Sequence, residues 1–250
     1  ELLTPIESLE KIRKLRQFES MLDSSFLNVD SLNKLKTVLE NVLIWGKLSD
    51  IIEDLTHEAM VISNGKLLQE IYDLSNEEKY RVTVIESIKS YINKNAINIP
   101  FNEGNRKKGQ NAITWSSEIV ELYRSQHSFL ESIDFGSVRL NNLTGDVSNA
   151  ILGDVFSMYF SKEGALPSEY LSTYVDHCMK RTKEKDAEIV KIKQDLLDST
   201  KLIGLLTEKD IFEKIYKKQL SRRLLQQRSL VEIEKWMVQM IKKVLGTFFT

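Results

Sequence analysis

Asp30-Ser31-Leu32-Asn33-Lys34-Leu35-Lys36-Thr37-Val38-Leu39-Glu40-Asn41-Val42-Leu43 decides the fold. Leu32, Leu35, Val38, Leu39, Val42 and Leu43 recur at steps of three, three, one, three and one. On a helix that spacing gathers all six on one stripe, whereas a strand would scatter them over both faces. The pattern extends in both directions. Upstream, Thr4-Pro5-Ile6-Glu7 supplies a capping hydroxyl, a proline at the first helical position and a glutamate at the third, ahead of Ile6, Leu9, Ile12, Leu15, Phe18, Met21 and Leu22. Downstream, Leu48, Ile51, Ile52 and Leu55 continue it until Asn64-Gly65 interrupts.

Leu67, Leu68, Ile71, Tyr72 and Leu74 resume a helical face, and Ile85, Ile88 and Ile92 carry a stripe to about Asn95. Between them Ser75 and Glu78 fit either a capping box or an exposed mid-helix pair. Residues 98–112 read as a loop, with Pro100, Gly104 and Gly109 around Arg106-Lys107-Lys108. The next helix carries Trp115, Ile119, Leu122, Tyr123, Leu130 and Ile133. A polar link at Asn141, Asn142 and Gly145 leads to Ile151, Leu152, Val155, Phe156 and Tyr159. Pro167 starts a helix bearing Leu171, Tyr174, Val175 and Cys178, and a charged stretch from Lys180 to Lys191 runs into one with Ile189, Ile192, Leu196 and Ile203. Thr207 is expected to cap a helix with Ile211, Phe212, Ile215, Tyr216, Leu220 and Leu224. Ser229 and Glu232 are expected to form a capping box before Ile233, Trp236, Met237, Met240, Ile241 and Val244. Gly246 suits a helix terminator, and Thr247-Phe248-Phe249-Thr250 has strand chemistry.

The chain has 250 residues, 42% hydrophobic and 28% charged, with only 3 Pro and 10 Gly. So few turn formers argue against an all-β protein, and the apolar content argues against disorder. Nine or ten amphipathic helices are expected, in an all-α bundle or a stack of helix pairs. No stretch reaches the roughly 20 apolar residues that cross a bilayer, and the charged N-terminus is unlike a signal peptide. Since the chain starts at Glu1 rather than Met, it reads as a trimmed piece. A net charge of −1 gives no global attraction to nucleic acid or an anionic membrane, so neither is expected as a partner. The single cysteine fits a reducing compartment, cytoplasmic or nuclear.

Chemistry is scarce. His57, His127 and His177 are far apart in sequence and match no metal-ligand spacing. His177 and Cys178 are adjacent, which on a helix turns them about 100° apart, so Cys178 reads as a packed thiol. No phosphate loop, dinucleotide turn or nucleophile elbow occurs. The expectation is a non-enzyme with no catalytic residue, metal or cofactor. The electrostatic signal lies elsewhere: residues 201–250 hold eleven Lys and Arg against five Asp and Glu, leaving +6 there and −7 in the remainder. Lys214, Lys217, Lys218 and Arg222 recur at near-helical spacing opposite the apolar stripe. Read plainly they are a solvated polar face; read more sharply, a docking surface for an acidic protein.

From Glu208-Lys209-Asp210-Ile211-Phe212-Glu213-Lys214-Ile215-Tyr216-Lys217-Lys218 through Gln219-Leu220-Ser221-Arg222-Arg223-Leu224-Leu225, the sequence resembles the cullin signature. Ser229, Glu234, Met237, Ile241, Gly246, Phe249 and Thr250 fit the layout that follows it in cullins. Leu245 stands where cullins usually have Cys, and Ser221 where they usually have Ala, marking a divergent member. Phe156, Phe160, Pro167, Glu169, Tyr170, Leu171, Tyr174, Val175 and Asp176 are similar to an earlier cullin helix start, with the serine displaced past the proline. Fainter likeness covers Phe26 to Ile52 and Leu67 to Leu74.

The resemblance implies an elongated all-α stack of five-helix cullin repeats leading into a four-helix bundle. Residues 1–66 would end the second repeat, 67–206 would form the third, and 207–250 would begin the C-terminal domain. It further implies a rigid, non-catalytic scaffold of a cullin–RING E3 ubiquitin ligase that spaces a substrate receptor from the RING subunit and its E2. The adaptor or substrate receptor would bind before Glu1, and the RING subunit and the modifiable lysine would lie after Thr250. A cullin-regulating helical-repeat protein is a further implied partner. The alternative is a helical rod of another kind, such as a vesicle-tethering subunit.

Overall fold

The computed structural model describes residues 5–21, 28–38, 45–75, 78–101, 108–136, 146–183 and 188–246. Among them are eleven helices and no strand. The chain is all-α, as its periodicity requires, with one or two helices more than the sequence suggested. Thr4, Leu39, Val42, Leu43, Gly104, Arg106, Lys107, the Asn141–Gly145 link and the Thr247–Thr250 strand expectation lie outside the described residues.

The helices fall into two compact units: residues 1–91 with 132–144, and residues 92–131 with 145–250. In the first unit, α1 (Pro5–Met21), α3 (Trp45–Val61) and α4 (Gly65–Leu74) pack around Leu9, Ile12, Ile52, Leu55, Leu68 and Ile71. Their stripes face inward, so the hydrophobic effect and the 3.6-residue period select the same contacts. α2 (Val29–Val38) buries Leu32, with Leu35 and Val38 exposed. The α1 stripe also narrows, since Phe18 and Met21 are exposed. Asn64 caps α4 by accepting the Leu67 N–H at 3.1 Å. Ser75 proves to be neither a capping-box residue nor an exposed one: it is buried at the C-cap of α4, its hydroxyl donating to the Ile71 carbonyl at 2.8 Å. Arg13 on α1 grips both carboxylate oxygens of Glu70 on α4. α5 (Glu78–Ile97) buries Val84, Ile85, Ile88 and Ile92. Residues 132–136 return to the first unit, where the Gln69 amide donates to the Asp134 carbonyl at 3.0 Å and accepts its N–H at 2.7 Å.

The second unit holds α6 (Lys108–Glu131), α7 (Val147–Glu163), α8 (Leu166–Arg181), α9 (Ile189–Gly204), α10 (Lys209–Leu225) and α11 (Val231–Leu245). α8 is its hub and packs against α6, α9 and α10. Tyr170, Leu171, Tyr174, Val175, Cys178 and Met179 make it buried along most of its length. An aromatic cluster of Phe101, Trp115, Tyr159, Phe160 and Tyr170 links α6, α7 and α8, with Phe101 stacked on Trp115 at 4.4 Å between ring centroids. The loop expected over 98–112 is shorter than that. α6 begins at Lys108 and takes in Gly109, because Ala112, Trp115 and Ile119 start the buried stripe and a glycine in the first turn costs little there. It ends at Glu131, and Ile133 is buried beyond the helix. Gly246 closes α11 at φ 91°, where only glycine is unstrained.

Candidate functional site

α10 is the element on which the sequence placed its candidate residues. Phe212 and Tyr216 on its inner face are fully buried and stack at 5.8 Å, while Ile211, Ile215 and Leu220 are half-buried. Lys214, Lys218 and Arg222 follow at steps of four and are all exposed on the opposite side. Lys217 sits at the edge of this stripe, half-exposed, with its ammonium 2.8 Å from Glu213 one turn earlier. The glutamate precedes the lysine, the orientation that helps a helix by a few tenths of a kcal/mol. The structure therefore unites Lys214, Lys218 and Arg222 in one cationic ridge and ties Lys217 to a carboxylate beside it. Leu224, expected on the apolar stripe, is exposed, as is Leu225 after it.

Beneath that ridge lies a group the sequence reading missed. Arg223, counted there only in the charge of residues 201–250, is 1% exposed. Its Nε donates to Glu234 Oε1 at 2.7 Å and its Nη2 to Oε2 at 3.1 Å, a two-pronged grip on α11. Nη1 donates to Asp176 Oδ1 on α8 at 2.7 Å, and the guanidinium lies 5.5 Å from the centre of the Tyr216 ring. Lys180 holds the other Asp176 oxygen at 2.5 Å. Burial by itself lowers the pKa of Arg223, but the hydrogen bonds and charges of Glu234 and Asp176 outweigh it and raise the value overall. Spacing could have revealed this arginine: it falls seven residues after Tyr216 and eleven after Phe212, back on the inner face.

Two capping expectations give way around it. The N-cap of α10 is Glu208, not Thr207, and it has no side-chain cap bond; its carbonyl accepts from Ser168 at 2.7 Å. Ser229 is buried and donates to Glu234 rather than pairing with Glu232, because the sequestered carboxylate needs every donor within reach. Leu230 becomes the N-cap of α11, its N–H donating to Thr182 Oγ1 at 3.2 Å.

A second ion cluster joins α6 to α9. Arg124 Nε reaches Asp198 at 2.7 Å and Nη2 reaches Asp195 at 2.6 Å, with Glu121 3.0 Å from Nη1. Burial lowers the Arg124 pKa, but the Asp195 and Asp198 carboxylates more than reverse that and raise it. Cys178 is packed, and burial pushes its thiol up to about 12. In the first unit a cleft of about 980 Å³ is lined by Arg16, Asn64, Lys66, Gln69, Glu70 and Asp73 among others, a mixed and balanced set of charges. Among the described residues no group of three or more His, Cys, Asp or Glu is placed to hold a metal ion, and no helix is long and apolar enough to cross a membrane.

Helices joined through buried aromatic and ionic side chains define an all-α helical domain. The cullin alpha solenoid domain matches residues 1–250, and the chain belongs to the cullin family. It is 99% identical over its whole length to Cullin-3 of Saccharomyces cerevisiae, of which it covers 34%. Identity is 26% to Cullin-3 of Schizosaccharomyces pombe, across 98% of this chain and 32% of that protein. It is 22% to Cullin-2 of Caenorhabditis elegans, across 98% of this chain and 30% of that protein. The chain thus spans about a third of the length of these relatives.

Proposed function

We propose that these residues are a non-catalytic spacer within a cullin–RING E3 ubiquitin ligase, holding the substrate receptor at a set distance from the RING subunit and its E2. The observation that carries this reading is the cullin alpha solenoid match across all 250 residues. It is supported by a second-unit interior given over to helix-to-helix junctions. A spacer contributes effective concentration and orientation and makes no bond itself. On this reading residues 1–66 end the second cullin repeat, 67–206 form the third and 207–250 open the C-terminal four-helix bundle. The receptor and the RING subunit bind outside these residues, and the protein works in the cytoplasm or nucleus.

The ridge of Lys214, Lys218 and Arg222, with Lys217 at its edge, is then the exposed face of that bundle's first helix. It offers an acidic protein, such as a cullin-regulating helical-repeat protein, a cationic docking surface. Affinity purification of the tagged full-length protein tests the main reading. A small RING protein should co-purify in stoichiometric amount, and its absence would contradict the ligase assignment.

A further inference from the structure

The Asp176–Arg223–Glu234 cluster welds three helices at one point. Asp176 comes from α8, Arg223 from the last turn of α10 and Glu234 from the first turn of α11. The residues just past α8 also hold the α10–α11 connection at two points. Lys183 donates to the Gln227 carbonyl at 2.6 Å, and Thr182 Oγ1 accepts the Leu230 N–H at 3.2 Å. Gln227 itself takes φ 50°, so the connection turns sharply between these anchors. With Lys180, the cluster balances two cations against two carboxylates, and Ser229 supplies the remaining donor to Glu234.

Such a cluster is a poor source of stability, because removing Arg223 and Glu234 from water offsets most of their mutual attraction. Its directionality is another matter. Phe212, Tyr216, Ile233 and Met237 are buried apolar residues of the same two helices, α10 packing on α8 and α11 on α9, and apolar contacts tolerate sliding and rotation. The Arg223 fork does not. A slip of α10 by one turn, about 5.4 Å, would carry the guanidinium away from both carboxylates and leave it and Glu234 buried without each other. Only one placement of α10 between α8 and the start of α11 satisfies every donor and acceptor.

We propose that Asp176, Arg223 and Glu234 are positioning residues. They fix the register and angle at which α10 packs on α8 and joins α11, and contribute little net stability. The inference rests on the spacer reading only for its consequence, that one angle at this weld is what gives the ligase one reach.

The test measures angle and stability separately on the 250-residue chain. Nitroxide labels go on Val190→Cys, 81% exposed on α9, and Lys235→Cys, exposed on α11, and the distance distribution is read by pulsed electron paramagnetic resonance. Cys178 is buried and stays unlabelled. In the wild-type background a single narrow distribution is expected. The apolar replacement Asp176→Leu/Arg223→Met/Glu234→Leu should keep or raise Tm yet broaden the distribution or add a second population. Arg223→Lys, which keeps the charge and loses the fork, should also broaden it. A wild-type distribution in both variants would overturn the proposal. So would failure of the apolar variant to fold, since the cluster would then be supplying stability. Loss of the RING subunit in the purification above would refute the ligase reading and leave this result standing.

Discussion

Gly204, the last residue of α9, lies so close to α11 that a Cβ added there would meet Val244 Cγ1 at 3.1 Å. A hydrogen at this position lets the two helices touch where a side chain would hold them apart. Gly204→Val should therefore overpack the junction and destabilise the protein by about 1–3 kcal/mol, read as a lower denaturant midpoint at unchanged slope. A midpoint equal to wild type would show that α11 yields freely.

Phe212 is fully buried on α10, whereas Trp236 on α11 is only half-buried. Phe212→Ala should cost roughly 3–5 kcal/mol through transfer and cavity terms together. Trp236→Ala should cost clearly less, although both look like core anchors from sequence. Equal losses in urea unfolding would contradict the burial difference.

In the first unit the Tyr72 hydroxyl donates to the Phe135 carbonyl at 2.9 Å, beneath an edge-to-face contact of the two rings at 5.1 Å. Tyr72→Phe preserves the ring contact and strands a buried acceptor, at a cost of about 1–3 kcal/mol. Amide exchange around Asp134 and Phe135 should accelerate in the variant, and unchanged protection there would count against the contact.

Cys178 carries a pH prediction. Its folded pKa is raised from 9.0 to about 12 by burial, so the folded state keeps the proton longer than the unfolded chain. The stability tied to this thiol is complete below pH 9 and is lost as pH rises from about 9 toward about 12. Cys178→Ala should flatten the alkaline decline of Tm. At pH 8 the native thiol should resist a disulfide reagent that modifies it at once in guanidinium.

Reversal of Lys214, Lys218 and Arg222 to Glu tests the ridge. All three are exposed, so Tm should stay close to wild type. Binding of the full-length protein to acidic partners should weaken, and the difference should shrink as salt shortens the screening length. Identical retention by wild type and variant at low salt would reduce the ridge to a solvated face.

Helix identity was legible because each stripe was long: Ile151, Leu152, Val155, Phe156 and Tyr159 are all buried as the period requires. Helix ends were less so, since capping is settled by what lies across the junction. Ser229 shows this best, its spacing to Glu232 fitting a cap while Glu234, sequestered beside Arg223, claims the hydroxyl. Arg223 was hidden by its own charge, because a cation among cations enters a charge sum unless its place on the helix is counted. The break around Gly109 looked longer than it is because Gly and Lys mask a helix start whose first buried residue, Ala112, is small. The signature from Glu208 to Leu225 identified the family, and the whole-chain match confirms it.

The proposed spacer would act by setting a distance. A flexible Gly/Ser linker inserted between Leu206 and Thr207 of the full-length protein, assayed for ubiquitin transfer to a bound substrate, tests it most directly. Transfer should collapse while the receptor and the RING subunit still co-purify and free ubiquitin chains still form. Undiminished transfer across the flexible joint would contradict the claim.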